Sequence, residues 1–123
     1  MAEERLTLKE MCARFDVTPR TLRYYEYIEL LSPEKEGRTR YYGSQEFARM
    51  TLILRGRRWG FSLEEIRQWL EMYEHQGERE QMEAWIEASG RQLEELESRR
   101  EQLDETINDL RSMRNRVKAT LNN

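Results

Sequence analysis

Two arginines lie three residues apart, Arg20 and Arg23, in a short segment with the pattern of a helix. Guanidinium groups on one exposed helix face bind phosphates and the edges of guanine bases, so this spacing predicts a nucleic-acid-binding surface. The segment opens with Thr18-Pro19, a capping residue followed by a proline at the first helical position. It follows an amphipathic segment, Leu6 to Phe15, across a tight break at Asp16-Val17, and such a pair of helices predicts a helix-turn-helix.

The first helix of the pair has its own start signal. Thr7-Leu8-Lys9-Glu10 has the spacing of a capping box, in which the Thr7 hydroxyl and the Glu10 carboxylate each accept from the other residue's backbone N–H. Apolar residues then recur at the spacing of one helical face. These residues are Leu8, Met11, Cys12 and Phe15. We expect this face to pack against Leu22 and Tyr25 of the second helix.

A short hairpin is predicted directly after the second helix. Ser32-Pro33 ends the helix, and residues 33–42 turn around Glu36-Gly37 and return through Arg38 to Tyr42. Basic residues on a hairpin beside a helix that enters a groove commonly contact phosphates. The sequence therefore predicts a winged helix-turn-helix.

Two further helices complete the predicted head. Gly43-Ser44 opens a third helix that ends near Trp59-Gly60, and Ser62 to Glu65 is a second capping box that opens a fourth helix, ended by Gly77. Ten residues on these helices are candidates for the core. They are Phe47, Met50, Leu52, Ile53, Leu54, Leu63, Ile66, Trp69, Leu70 and Tyr73.

From about residue 78 the apolar pattern changes to a heptad repeat. With Ile86 at an a position, the seam positions fall at residues 86, 89, 93, 96, 100, 103, 107, 110, 114, 117 and 121, and eight of these 11 are aliphatic. A seam of this length predicts a coiled coil formed with a second chain. Its predicted contacts are Leu93, Leu96, Leu103, Ile107, Leu110 and Val117. We therefore expect a mainly α fold, with a DNA-binding domain at 1–76 and a dimerisation helix at 77–123.

Charges beside the seam favour an antiparallel pairing. The flanking e positions are acidic at Glu97 and Asp104 and basic at Arg111 and Lys118. An antiparallel partner sets acidic against basic side chains, whereas a parallel partner places like charges at the same height. The prediction is an antiparallel homodimer.

Composition agrees with a small head joined to a solvated helix. Apolar and charged residues each make up 37% of the 123 residues, and the net charge is −3. Residues 1–60 hold 12 Lys and Arg against 9 Asp and Glu, whereas residues 61–123 hold 9 against 15. Residues 1–60 are therefore basic and residues 61–123 acidic, which places the expected DNA contacts in the first 60 residues.

Other classes of function find little support in the residues. Cys12 is the single cysteine, so no intramolecular disulfide forms, and with no signal-peptide pattern and no long apolar run the expected location is the cytoplasm. The sequence offers no Gly-rich phosphate loop and no Ser/His/Asp set, so we expect no catalytic residues and no cofactor. His75, the one histidine, stands in a solvated linker and predicts no metal site.

Several motifs, in order, resemble the mercury-resistance-type (MerR) transcriptional regulators. The family pattern T-x-R-T-L-R-Y-Y-E corresponds to Thr18–Glu26, and its wing ending R-x-Y corresponds to Arg40-Tyr41-Tyr42. The family run R-x-L-G-F-S-L-E-E-I corresponds to Arg58–Ile66, with Trp59 as the visible departure, and the long dimerising helix corresponds to residues 78–121.

This resemblance implies a mechanism and a set of contacts. Members are dimers that bind a pseudo-palindromic operator in an overlong promoter spacer, and effector binding lets them distort the DNA so that RNA polymerase can use the promoter. The predicted partners are therefore double-stranded DNA, a second copy of the chain and RNA polymerase. The predicted DNA-binding residues are Thr18, Arg20, Thr21, Arg23, Tyr24, Arg38, Arg40, Tyr42 and Arg58.

A narrower resemblance concerns the effector. The stretch Leu52–Arg58 is similar to the branch that regulates leucine and isovalerate breakdown, which implies an acyl-type small molecule. A pocket for it is predicted around Trp69, Tyr73 and Trp85, where ordinary packing is the alternative. Metal-sensing relatives carry cysteines around the dimerisation helix, and residues 61–123 contain none.

A protein-interaction adaptor is the competing interpretation. Its coiled coil would recruit partners while the small domain served as a scaffold, and DNA binding would be weak and insensitive to salt. Arg20, Arg23 and the basic wing argue against this alternative.

Overall fold

The computed structural model describes residues 4–75 and 77–123. The chain divides into two compact units, Met1–Glu78 and Arg79–Asn123. The first unit holds β1 (Leu6–Thr7), α1 (Leu8–Phe15), α2 (Pro19–Tyr27), β2 (Glu34–Glu36), β3 (Thr39–Tyr42), α3 (Ser44–Arg58) and α4 (Leu63–His75). The second holds a single helix, α5 (Arg79–Leu121). The prediction of a mainly α fold with a winged head and a long C-terminal helix is confirmed.

Both predicted capping boxes form. The Glu10 N–H donates to Thr7 Oγ1 at 3.3 Å, and the Thr7 N–H donates to Glu10 Oε1 at 3.0 Å, which lowers the pKa of Glu10. Ser62 and Glu65 exchange the same pair of hydrogen bonds at the start of α4. These reciprocal bonds satisfy N–H groups that the first turn of a helix leaves without partners, and so they fix where α1 and α4 begin.

A three-stranded antiparallel sheet contains the wing. The strand order is β1-β3-β2, with Leu6 opposite Tyr42 and Lys35 opposite Arg40. Gly37 turns the hairpin with a φ of +63°, a conformation that glycine adopts without steric cost. The short strand β1, which the sequence did not predict, ties the wing to the start of α1.

One apolar core lies among α1, α2, α3, α4 and the sheet. Its buried residues are Met11, Leu22, Tyr25, Leu30, Leu31, Tyr42, Met50, Ile53, Phe61, Ile66 and Leu70. Most predicted core residues of α3 and α4 are buried or half-buried. The prediction for Tyr73 is wrong, because 66% of its surface is exposed. One side of α2 packs against the core, and its other side faces solvent.

Candidate nucleic-acid interface

Burial of two residues fixes the orientation of α2. Leu22 is fully buried and Tyr25 is 7% exposed. At 3.6 residues per turn, positions 20, 23, 24 and 27 fall within an arc of about 100° on the opposite side of the helix. All four of these residues are exposed. The side of α2 that faces solvent is therefore a stripe of two arginines and two tyrosines: Arg20, Arg23, Tyr24 and Tyr27.

The two arginines of this stripe carry uncompensated charge. Within residues 4–75 and 77–123, neither Arg20 nor Arg23 forms an ion pair or a hydrogen bond through its side chain. Each guanidinium keeps five N–H donors in a planar fork that matches a phosphate or a guanine edge. Half of the Tyr24 surface is exposed as well. These groups are placed to bind a polyanion. Their contacts with DNA stay predictions.

The first turn of α2 adds a second anion-binding feature. Thr18 Oγ1 accepts from the Thr21 N–H at 3.1 Å and lies 3.0 Å from Thr21 Oγ1. The first turn contains no acidic residue. The first turn itself therefore places no carboxylate at the positive end of the helix dipole, which favours a phosphate there.

The wing presents its two arginines differently. Arg38 follows Gly37 in the hairpin turn and is exposed. The Arg40 Nε–H instead donates to Glu26 Oε2 of α2 at 2.8 Å, and 31% of the Arg40 side chain is exposed. Arg38 thus has no ion pair among the described residues, whereas Arg40 is held against α2 by a charge-assisted hydrogen bond.

The prediction that Tyr42 contacts DNA is wrong. Alternation along β3 turns Tyr42 into the core, where it is fully buried. Burial raises the pKa of its phenol to about 12, with a further rise from Glu26. The Tyr42 hydroxyl finds no hydrogen-bond partner among the described residues. Tyr42 is a packing residue beneath the wing.

A second group of cations ends α3. Arg55, Arg57 and Arg58 occupy its last turn, where positive charge suits the helix dipole. Arg57 donates to the Phe61 carbonyl at 3.3 Å, whereas Arg58 is exposed. This exposure leaves the Arg58 side chain accessible to a phosphate, and its contact with DNA stays a prediction.

Two residues of this surface were missing from the sequence prediction. Tyr27 is 81% exposed, and its spacing of seven from Arg20 was the signal that places it on the same face. Glu26 binds the wing through space, which no local pattern in the sequence reveals, because Arg40 is fourteen residues away.

The six predicted dimer contacts all lie on α5 with exposed side chains. Leu96 is the least exposed of them, at 37%, and Leu110 the most, at 69%. An apolar stripe of this length in water favours association with another apolar surface.

The predicted effector residues fall in both units. Trp69 packs against Trp59 with ring centroids 5.5 Å apart, while Tyr73 is exposed and Trp85 belongs to α5. Trp69 is thereby accounted for by packing within the head, and the effector pocket stays a prediction. Across the described ranges, no group of three His, Cys, Asp or Glu side chains could hold a metal ion. Nor does any helix in those ranges have the length and apolar character to cross a membrane.

Two curated relatives show how far the likeness extends. The chain is 31% identical over 112 residues to the uncharacterized HTH-type transcriptional regulator PA4778 of Pseudomonas aeruginosa, covering 83% of each chain. It is 37% identical over 70 residues to the HTH-type transcriptional regulator HmrR of Rhizobium leguminosarum bv. viciae, covering 56% of this chain. The chain thus spans about half the length of HmrR, 54%.

Solved structures share the fold. A MerR family transcriptional regulator from Bacillus cereus superposes with a TM-score of 0.71 at 27% identity, over 89% of this chain and 80% of that one. HiNmlR, a MerR family regulator lacking the sensor domain and bound to promoter DNA, gives a TM-score of 0.65 at 17% identity, over 85% and 80%. The second likeness shows the fold alone.

Family models match nearly the whole chain. The model described as MerR HTH family regulatory protein matches residues 6–73, and the model described as MerR, DNA binding matches residues 47–116. The first covers the winged head and the second runs from α3 into α5. These matches include the recognition helix, the wing and most of the coiled-coil seam, and the chain therefore belongs to the MerR family of helix-turn-helix regulators.

Proposed function

We propose that this protein is a dimeric, sequence-specific DNA-binding transcriptional regulator that binds a pseudo-palindromic operator in a long-spacer promoter and distorts it to control transcription. The observation that carries this proposal is the outer face of α2, where Arg20 and Arg23 are exposed and have no counter-ion among the described residues. Leu22 holds this face outward by filling the core behind it. Family membership and the DNA-bound fold of HiNmlR support the proposal.

The contacts divide between sequence reading and positioning. The N-terminal residues of a recognition helix reach base edges, so Arg20 and Arg23 are the proposed base readers. Thr18, Thr21, Tyr24, Arg38, Arg40 and Arg58 are proposed to bind phosphates. Tyr27 joins them at the far end of the same face, where its exposed ring and hydroxyl reach the backbone that flanks the groove.

Dimerisation through α5 supplies the symmetry. We propose that residues 1–76 act as the DNA-binding domain and 77–123 as an antiparallel coiled coil between two copies. A two-fold dimer requires an operator with matching two-fold symmetry, one half-site for each head. Bending such a site costs a few kcal/mol, which contacts from both heads would offset.

Regulation would require further partners. We propose that the dimer acts on RNA polymerase at the promoter, in the cytoplasm, and that an acyl-type small molecule controls it near Trp69, Tyr73 and Trp85. The support for the effector is the narrower resemblance of residues 52–58 alone.

Genomic-fragment selection with the purified protein at two salt concentrations tests this function. We expect enrichment of a palindromic motif inside a promoter with a long spacer, and affinity that falls steeply with salt because phosphate contacts release counterions. The absence of an enriched site, together with weak salt dependence, would favour the adaptor interpretation, in which α5 recruits proteins and the head only carries it.

A further inference from the structure

Glu26 lies at the edge of the α2 surface, between the buried side and the exposed stripe. Its side chain is 17% exposed, and its carboxylate binds two cations of the wing. Oε2 accepts from Arg40 Nε at 2.8 Å, and Oε1 lies 3.2 Å from Lys35 Nζ. Each carboxylate oxygen thus holds a different strand of the hairpin.

The two cations are also each other's neighbours. Lys35 and Arg40 are directly opposite in the antiparallel ladder between β2 and β3. Like charges in that relation destabilise a strand pair, so an anion between them is needed to hold both in place. Glu26 supplies that anion from the recognition helix, and its partial burial protects the pair with Arg40 from screening by salt.

We propose that Glu26 is a positioning residue for DNA recognition, an inference that rests on the function proposed above. It holds the wing at one fixed placement against α2, so that wing and helix reach DNA together. The bond to Glu26 uses the Nε–H of Arg40 and leaves its two terminal NH₂ groups to bind a phosphate. Glu26 therefore acts on DNA through Arg40 and touches no base itself.

Simple electrostatics and positioning predict opposite results for one substitution. Glu26→Gln removes a negative charge close to the DNA-binding face, which by itself raises affinity for every DNA sequence. If Glu26 positions Arg40, the same substitution lets Arg40 move away from its place beside α2. That change lowers affinity only for a defined site, which the wing and the helix must fit together. The ratio of operator affinity to mixed-sequence affinity separates the two effects.

The experiment uses the full chain and two probes: the duplex selected by the wild-type protein and a mixed-sequence duplex of equal length. We expect Glu26→Gln to lower the affinity ratio about tenfold, the size expected for loss of one well-placed charge-assisted contact. In an Arg40→Gln background the same substitution should lower the ratio no further, because its effect passes through Arg40. An unchanged ratio, or an equal drop in both backgrounds, would overturn the inference.

Glu29→Gln is the matched control. Glu29 lies just beyond the end of α2, is exposed, and its side chain forms no hydrogen bond or ion pair among the described residues. Its loss removes the same charge at nearly the same place, so both affinities should rise together and the ratio should stay constant. A fall in the ratio equal to that of Glu26→Gln would assign the effect to charge alone and overturn the inference.

Thermal unfolding distinguishes positioning from stability. A lower midpoint with an unchanged ratio would make Glu26 merely structural and would also overturn the inference. Should Glu26→Gln fail to fold, Arg40→Lys carries the same test, since lysine keeps the charge but lacks the planar fork, and an unchanged ratio would again count against Glu26. If the wild-type protein selects no operator, the proposed function fails and the inference with it. If it does, and Glu26→Gln keeps the ratio, only the inference fails.

Discussion

Among the described residues the side chain of Arg23 has no counter-ion, whereas Arg5, Arg14 and Arg40 are each bound to a carboxylate. We predict that Arg23→Ala weakens binding to the selected operator by about 1–3 kcal/mol while the dimer stays folded. Fluorescence anisotropy titration with the operator duplex measures the change.

The control for this prediction is Arg99→Ala. Arg99 lies on α5, exposed and paired with Glu95, so its loss should leave operator affinity nearly unchanged. Equal affinity of wild type and Arg23→Ala would remove Arg23 from the interface.

Tyr42 gives a prediction about alkaline stability. Its pKa of about 12 in the folded state exceeds the ordinary value of about 10, because the buried phenolate lacks solvation. The folded state therefore keeps the proton to higher pH than the unfolded state does. Stability from this group is full below pH 10 and falls by up to about 2–3 kcal/mol as the pH approaches 12.

Tyr42→Phe should remove this loss. Urea unfolding at pH 8 and pH 11 should show that the wild type loses more stability than the variant over this interval. At pH 8 we expect the variant to be at least as stable, because the buried hydroxyl has no partner among the described residues. An equal loss of stability in both proteins would contradict the assignment of this pH dependence to Tyr42. The loss would then come from a group that both proteins share, such as Tyr25, whose pKa is also raised by burial.

For single residues, the sequence predicted which charged side chains share a helix face better than it predicted which way a strand residue points or which distant residues meet. Arg20 and Arg23 were found because helical spacing alone places them on one face. Tyr42 was misplaced because its direction depends on the register of β3 with β1, and Glu26 was missed because its partners are distant in the chain.

Helix starts were the most predictable elements. Thr7, Thr18 and Ser62 cap helices through bonds within three or four residues, which a sequence states directly. Strand β1 went unpredicted, because two residues carry no periodicity and their partner in β3 is more than thirty residues away. The prediction for Tyr73 failed because the apolar face of α4 is buried only in the earlier turns of the helix and is exposed near its end.

The contact between α3 and α4 yields a prediction at Gly56. A methyl group there would lie 2.7 Å from Ile66 Cγ1, too close unless the Ile66 side chain or the two helices shift. Gly56→Ala should therefore destabilise the head by about 1–3 kcal/mol, even though alanine favours a helix over glycine by about 1 kcal/mol. Urea unfolding measures the difference.

Gly90→Ala provides the comparison. Gly90 lies within α5, and apart from the adjoining turns of its own helix a methyl group there would meet no atom of the described residues within 4 Å. Helix propensity then acts without a clash, so stability should stay equal or rise by up to about 1 kcal/mol. If Gly56→Ala behaves like Gly90→Ala, the close packing of Ile66 on Gly56 is not what holds the two helices.

For the whole molecule, we propose that association depends on the seam of α5. We predict that Leu103→Asp splits the dimer, because it places a charge in the apolar interface without a partner. Sedimentation velocity across a concentration series measures the oligomeric state. Gln102→Asp adds the same charge one position away, off the seam, and should leave the dimer intact.

An intact dimer in Leu103→Asp would show that the chains meet elsewhere. The seam could be predicted because a heptad repeat is local to one helix. Its antiparallel orientation remains a prediction, because it rests on the pairing of Glu97 and Asp104 with the basic positions of a second chain.

The placement of the tryptophans has an optical consequence. Trp59 and Trp69 lie in the first unit with ring centroids 5.5 Å apart, and Trp85 lies on α5. Indole rings at that separation couple in circular dichroism. Trp85→Phe would leave an emission signal that comes from the head alone, so fluorescence can follow the opening of the head separately from the melting of the long helix.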